Sequence, residues 1–337
     1  MLARCREILV PPMIILLLLC LVSNSAFADS QPDAAGQGES ASTGLSVFKM
    51  IAYEPISELS GLVKSRRFPG VIWAHNDSGD TPRIFALDEN MDVIFPGFLG
   101  GTYFASLPEA GKTLWPGHTI QLAANLDWED IAVDEDYIYI ADTGNNGNAR
   151  RDLGVYVIPE PNPRAVAATR SLLYLPVRYP EQEAFPAREW HFDNEAIFVA
   201  DGSLYFLTKH RQAGKIGAWE AGANLYRLDS RHTDSYNLLR KVDSNKDVQV
   251  VTGADLSPDG KYLAVLGYTQ LWVFEQPGKS GRWLSGKSHM KQLDPRVTGQ
   301  VEAICWLDNQ TLLIGSEGRQ IYKATLTEIK SASNDAQ

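Results

Sequence analysis

The chain has 337 residues, with 41 Asp and Glu against 31 Lys and Arg, a formal net charge of −10 and an apolar fraction of 44%. That acidic balance opposes binding to nucleic acid or to anionic membrane surfaces and favours cations or cationic partners. The length is enough to bury a large core as one all-β domain.

Residues 1–28 carry Arg4 and Arg6, an apolar run from Met13 to Val22, and Ala26-Phe27-Ala28 before Asp29. This order predicts a secretory signal peptide with a small-x-small cleavage site, and hence a periplasmic or extracellular protein. A membrane span needs roughly 20 apolar residues. Pro11-Pro12 and Ser23-Asn24-Ser25 bound a shorter run here, so no stable membrane insertion is expected. Removal of Arg4, Arg6 and Glu7 takes away a net +1 and leaves −11. Cys5 and Cys20 leave with the signal, and Cys305, between Ile304 and Trp306, reads as a buried structural thiol. Residues 29–43 have almost no large apolar side chains and predict a disordered leader. Residues 331–337 read as a flexible tail, so the single domain is expected at 44–330, as a monomer.

Within that domain, short runs rich in Val, Ile, Tyr, Phe and Trp follow one another: 70–77, 137–142, 154–161, 203–209, 262–268, 271–275 and 311–317. Each is bounded by Gly, Pro, Asp or Asn, and none shows a sustained helical period, so the chain reads as all-β. Five segments share one plan, at 58–77, 128–143, 194–209, 252–268 and 301–317. A polar or acidic start leads into an apolar strand, a turn with Asp, Asn or Gly, and a second apolar strand with a polar end. A third strand then carries an apolar-aromatic pair: Ile84-Phe85, Val155-Tyr156, Leu225-Tyr226, Leu271-Trp272 and Ile321-Tyr322.

Antiparallel strands repeating in units of about forty or more residues are the signature of a β-propeller. Five blades are preferred, and a sixth is open if residues 100–126 hide one. Residues 46–53 are expected to close the ring by pairing with 321–326.

In such a ring the start of each innermost strand and the end of the second strand converge at one mouth of the central channel. Aligning the units on Leu62, Ile131, Ile197, Leu256 and Ile304 stacks Ser60, Glu129, Glu195, Ala254 and Glu302, with Asp130 and Asp255 in the next layer. The second-strand ends add Asn76, Asp77, Asp142, Asn145, Lys209, His210, Tyr268 and Glu317. Glu129, Glu195 and Glu302, at equivalent positions in three blades, are therefore the candidate ligands of a hard divalent cation, Ca²⁺ foremost, which takes six to eight oxygens. The same acids have an alternative role, accepting backbone N–H bonds that fix the turns between blades. Both readings are open at this stage.

Two further segments carry polar clusters. Residues 75–80 (HNDSGD), with Asp80, have the look of a cation or phosphate loop and also of ordinary turn chemistry. Residues 142–151 end in Arg150 and Arg151 and form either an anion cradle or a mobile loop. There is no Gly-x-Ser-x-Gly elbow. His118, His191, His210, His232 and His289 lack metal-ligand spacing and read mostly as surface or turn residues.

On the motifs at 58–62, 73–80, 127–132, 142–161, 194–196, 252–260 and 302–304, the chain resembles a family of uncharacterised secreted bacterial β-propellers. More distantly it is similar to the senescence-marker/gluconolactonase and phytase-like propellers. That resemblance implies Ca²⁺ held by acids at the channel mouth, with Glu129, Glu195, Asp255 and Glu302 as positional equivalents. Beside Lys209, Arg150 and Arg151 there is no dense cluster of Lys and Arg of the kind a phytase would use. Two functions follow as expectations. One is a cell-envelope module that binds a small-molecule, glycan or protein ligand at the mouth. The other is a metal-dependent hydrolase in which Asp77 or Asp142 takes a proton.

Overall fold

The computed structural model describes residues 45–335, so the expected signal peptide (1–28) and leader (29–43) lie outside the described residues. Five antiparallel sheets form the blades. In blade 1 the strands run Leu59–Lys64, Ile72–Asn76, Arg83–Leu87 and His118–Gln121 from the axis outward. Blade 2 follows with Trp128–Val133, Tyr137–Asp142, Gly154–Pro159 and Leu173–Arg178, and blade 3 with Trp190–Ala200, Ser203–Arg211, Ala221–Arg227 and Arg240–Gln249. Blade 4 uses Val251–Leu256, Tyr262–Gly267, Gln270–Glu275 and Ser288–Gln292.

Blade 5 uses Val301–Trp306, Thr311–Ser316 and Gln320–Thr325, and its outermost strand is Ser46–Met50 from the other end of the domain. Val47 pairs with Tyr322 and Lys49 with Ile321, so the closure expected from the sequence is present and covers a sheet edge. Residues 100–126 hold no sixth blade: they supply a short parallel pair, Tyr103–Phe104 with Thr113–Leu114, and the outer strand of blade 1.

Each innermost strand packs against those of the two flanking blades, and the fifth returns to the first. The core is therefore five apolar wedges between blades rather than one central mass. Strand alternation assigns the side chains. Ile197 and Phe206 face blade 2 with Tyr139 and Val155, whereas Ala196, Phe198 and Leu207 face blade 4 with Val251 and Leu263. Around the channel, side-chain-to-backbone hydrogen bonds join neighbouring innermost strands. Ser60 Oγ donates to the Glu129 carbonyl (2.7 Å) and Thr252 Oγ1 to the Val301 carbonyl (2.8 Å). Asp130, wholly buried, accepts from the N–H groups of Ile131 and Ile197, each at 2.8 Å.

Two expectations are corrected. The predicted tail from Ser331 continues a helix, Leu326–Asp335, whose Leu326 and Ile329 are buried against the outer strands of blades 4 and 5. Its start is a capping box: Thr325 Oγ1 accepts from the Glu328 N–H, and Glu328 Oε2 accepts from the Thr325 N–H. His118 is not a surface residue but is wholly buried edge-on to Trp73 and Trp115. Cys305 is buried and unpaired, as expected. Among the described residues no helix is long and apolar enough to cross a membrane.

The Asp130 bonds give a direct test of the stitching between blades. Asp130→Ala leaves two buried N–H groups without an acceptor, each costing about 1–3 kcal/mol. The urea midpoint should fall with an unchanged m-value, and a total loss below about 1 kcal/mol would contradict the role.

Candidate functional site

All five innermost strands share one irregularity, at or near the start in four of them and midway along Trp190–Ala200, which has a second shift between Trp190 and Asp193. Pairing with the second strand skips one residue in each blade: Ser60, Glu129, Glu195, Thr252 and Glu302. Such a bulge leaves a residue out of the ladder and re-aims its side chain. At one end of the channel, three of these five residues line a cavity of about 580 Å³, Glu129, Glu195 and Glu302. Asp77, Lys209, Arg211, Trp219, Tyr268 and Glu317 complete much of its wall.

The acids fall into distinct groups. Asp77, Asp127 and Glu129 each offer an oxygen within 4.8 Å of the others, and so do Glu129, Asp193 and Glu195. In the second group two of the three acids are paired with bases: Lys209 Nζ lies 2.7 Å from Glu195 Oε2, and Arg211 Nε lies 3.0 Å from Asp193 Oδ2. Both bases pack on Trp219, at 5.2 and 4.1 Å from the ring centroid. Asp77, Asp127 and Glu129 have no ion pair among the described residues. The Gly144 backbone closes over this first group, and a Cβ there would collide with Glu129 Oε1 and Asp127 Oδ2. Across the cavity, Tyr268 Oη donates to Glu302 Oε1 (2.6 Å), and Gln300 Nε2 donates to Glu317 Oε1 (2.8 Å).

Burial and mutual repulsion raise the proton affinities of Asp77, Asp127, Glu129 and Glu302. Burial, then Glu302 and Asp127, push Asp77 up to about 7, and burial, then Asp193, push Asp127 up to about 6. Glu129 is carried well above the usual range by burial and then by Glu195. Burial and then Glu317 take Glu302 to about 7, with Lys209 and Tyr268 opposing. Lys209 stays protonated: burial opposes its charge, but Glu195, Asp193 and Glu129 outweigh it and raise its affinity for the proton.

The sequence-predicted residues divide accordingly. Asp77, Glu129, Glu195, Glu302, Lys209, Tyr268 and Glu317 meet at the mouth. Asp142, Asn145 and Arg150 stand behind them as scaffold. Asp142 Oδ1 accepts from the Asp127 N–H and from Arg150 Nη2 (2.9 Å), and Asn145 Oδ1 accepts from the N–H groups of Ala149 and Arg150. Asn76 and Asp80 build the loop ahead of the third strand, since Asn76 Nδ2 donates to Pro55 O and Asp80 Oδ2, and Asp80 pairs with Arg83. His210 points away from the mouth, as the residue after Lys209 on one strand must, and stacks on His191 at 3.9 Å.

Asp255 is separated from the mouth. Blade 4 aligns two residues earlier than its apolar pattern indicated, so Thr252 holds the mouth position. A shift of two keeps every side chain on its face, which hides it from the pattern, yet moves Asp255 roughly 7 Å along the strand. There it accepts from the Leu256 and Trp306 N–H groups, the backbone role weighed as the alternative.

Asp127, Asp193 and Arg211 were missed. The signal was present: Asp127 and Glu129, Asp193 and Glu195, and Lys209 and Arg211 are pairs two apart, and residues two apart share a strand face.

Five blades around an acid-lined mouth define the chain as a five-bladed β-propeller with a small-molecule-sized opening. No protein-family model and no curated protein sequence matches it. Among solved structures, 497 chains match. A PQQ-bound aldose sugar dehydrogenase from Streptomyces coelicolor is 10% identical over 83% of this chain and 97% of its own, with a TM-score of 0.39. A luciferin-regenerating enzyme is 12% identical over 79% and 72%, at 0.41. A protein assigned as a glucose dehydrogenase from Thermus thermophilus is 12% identical over 84% and 100%, at 0.44. These likenesses concern the propeller fold alone.

The raised affinity of Glu302 has a signed consequence. The native state holds this proton more tightly than the unfolded chain, so its contribution to stability declines as pH rises from about 4.5 to about 7 and is level above that. Glu302→Gln should remove that slope. Relative to the wild type, the variant should gain on the order of 2–3 kcal/mol across the window in metal-free buffer, read by urea titrations at several pH values. A gain that instead grew as pH fell would contradict the assignment.

Proposed function

We propose that the channel mouth binds one divalent cation, Ca²⁺ foremost, at Asp77, Asp127 and Glu129, and that it holds a small polar ligand beside the ion. The protein would then serve as an exported ligand-binding module of the cell envelope. One observation carries this reading: a buried carboxylate, Glu129, and two half-buried ones, Asp77 and Asp127, converge with no basic side chain paired to them, while the adjoining triad has two. Two oxygens bound to one Ca²⁺ at 2.3–2.6 Å stand at most about 5 Å apart, and each of the three carboxylates offers an oxygen within that reach of the other two. All donors are hard oxygens, the chemistry Ca²⁺ prefers over softer metals. The Trp219 and Tyr268 rings, with Lys209 and Arg211, give the rest of the cavity a face for a polar or hydroxylated molecule.

A second reading, a metal-dependent hydrolase, is favoured by Glu302. Its carboxyl group, with a proton affinity near 7 and fixed by Tyr268, suits a general acid or base. A bound cation supplies charge that polarises an electrophile and acidifies water. Glu302 would move the proton, and Glu317 would stabilise its protonated form.

Calorimetry on chelator-stripped protein tests the site. Ca²⁺ should bind with heat and raise the melting temperature, more weakly as pH falls because the ligands must lose their protons. Asp127→Asn and Gly144→Ala should each weaken binding by at least about tenfold. Absence of both heat and a melting shift removes the metal. Turnover of a phosphoester or lactone panel that EDTA abolishes and Glu302→Gln cuts at least about tenfold would establish the hydrolase over the binding module.

A further inference from the structure

A second cavity, of about 230 Å³, lies outward of blade 2 and is lined by Arg150, Arg151, Arg178, Gln182, Phe185 and Tyr236, among others. It opens on the same face as the mouth, because the third strand of blade 2 begins at Gly154 and the fourth ends at Arg178, level with Asp142. Arg150 is the wall between the two. Its guanidinium donates to Asp142 Oδ1 and to the Gly144 carbonyl, each at 2.9 Å, and its Nε faces Asp152 at 3.2 Å.

Arg151 and Arg178 are placed differently. Both guanidiniums gather at the Phe185 ring, 4.6 and 5.7 Å from its centroid, and Arg178 also stands 6.0 Å from the Tyr236 ring. Among the described residues neither makes an ion pair, and neither side chain donates a hydrogen bond. The nearby acids Asp142 and Asp152 are taken by Arg150. On a chain with ten more acidic than basic residues, this is a convergence of cations with no carboxylate set between them. The ring face offsets part of their repulsion. Their forked N–H donors match the two oxygens of a carboxylate or phosphate.

We propose that this cleft is an anion site, taking the carboxylate or phosphate group of a small organic molecule between Arg151 and Arg178. The site is independent of any cation at the mouth. Phe185 and Tyr236 set the guanidiniums in place and offer an apolar edge to the rest of the ligand, and the cavity volume limits that ligand to about the size of a monosaccharide acid or phosphate.

Glucuronate and glucose 6-phosphate, titrated at constant ionic strength into the mature chain, provide the test, with the guanidinium Nε–H resonances as a second readout. At least one should bind saturably, and the stronger of the two identifies the anion class. The double variant Arg151→Gln/Arg178→Gln should weaken it by at least about tenfold. Asp127→Asn should leave it unchanged. Should the Gln variant not fold, Arg151→Lys/Arg178→Lys keeps the charge but loses the fork, and is expected to weaken binding as well. Saturable binding of neither ligand, undiminished binding in the arginine variants, or loss of binding in Asp127→Asn would each overturn the proposal.

Discussion

Radial convergence forces like charges together at the channel mouth, and the rest of the site follows from how that repulsion is met. Five innermost strands gather around one axis, and three of them present their bulged residue to the same opening. Those three residues are glutamates, and the residues two places before two of them are aspartates. The structure answers the repulsion in two ways. Lys209 and Arg211 neutralise Asp193 and Glu195. Tyr268 and Gln300 hold Glu302 and Glu317, where burial first and neighbouring acids second raise the affinity for a proton. Asp77, Asp127 and Glu129, whose proton affinities are also raised, have neither a basic partner nor a side-chain hydrogen-bond donor among the described residues, and a cation there would meet the same need.

The channel also sorts its acids by depth. Asp130 and Asp255 lie farther along their strands, and each spends its carboxylate on a backbone N–H of the next blade, at Ile197 and Trp306. These are buried donors with no strand partner on that side, so the acids there hold the ring together. At the mouth the backbone is free to bulge, and the acids are released from that duty. Structural and mouth-facing carboxylates thus alternate along one strand, and Glu129 next to Asp130 is the clearest instance.

Much of the fold was legible because propeller physics leaves a periodic trace. Short apolar strands, Asp or Gly turns and an aromatic in each third strand gave five units, and the Ser46–Met50 closure followed from the need to cover an edge. The site was less legible. Glu129, Glu195 and Glu302 came from repeat alignment, but blade 4 has a small-residue stretch, Thr252-Gly253-Ala254, whose apolar pattern fits two registers equally well. Only the ladder pairing distinguishes Thr252 from Ala254. Lys209 and His210 were grouped by sequence adjacency although adjacent strand residues face opposite ways. The polar roles of Asn76, Asp80 and Asn145 depend on loop partners such as Pro55 and Arg83, distant in sequence. The helix at Leu326–Asp335 carried a readable Thr-x-x-Glu start, but its short length gave no sustained apolar period.

The central claim is that the unpaired triad, rather than the mouth acids in general, is where a cation belongs. Anomalous diffraction from crystals grown with Mn²⁺ in place of Ca²⁺ examines it most directly. The account predicts one strong peak within bonding distance of Asp77, Asp127 and Glu129. A peak instead at Glu302 and Glu317, one beside Asp255, or no peak at the mouth would contradict it.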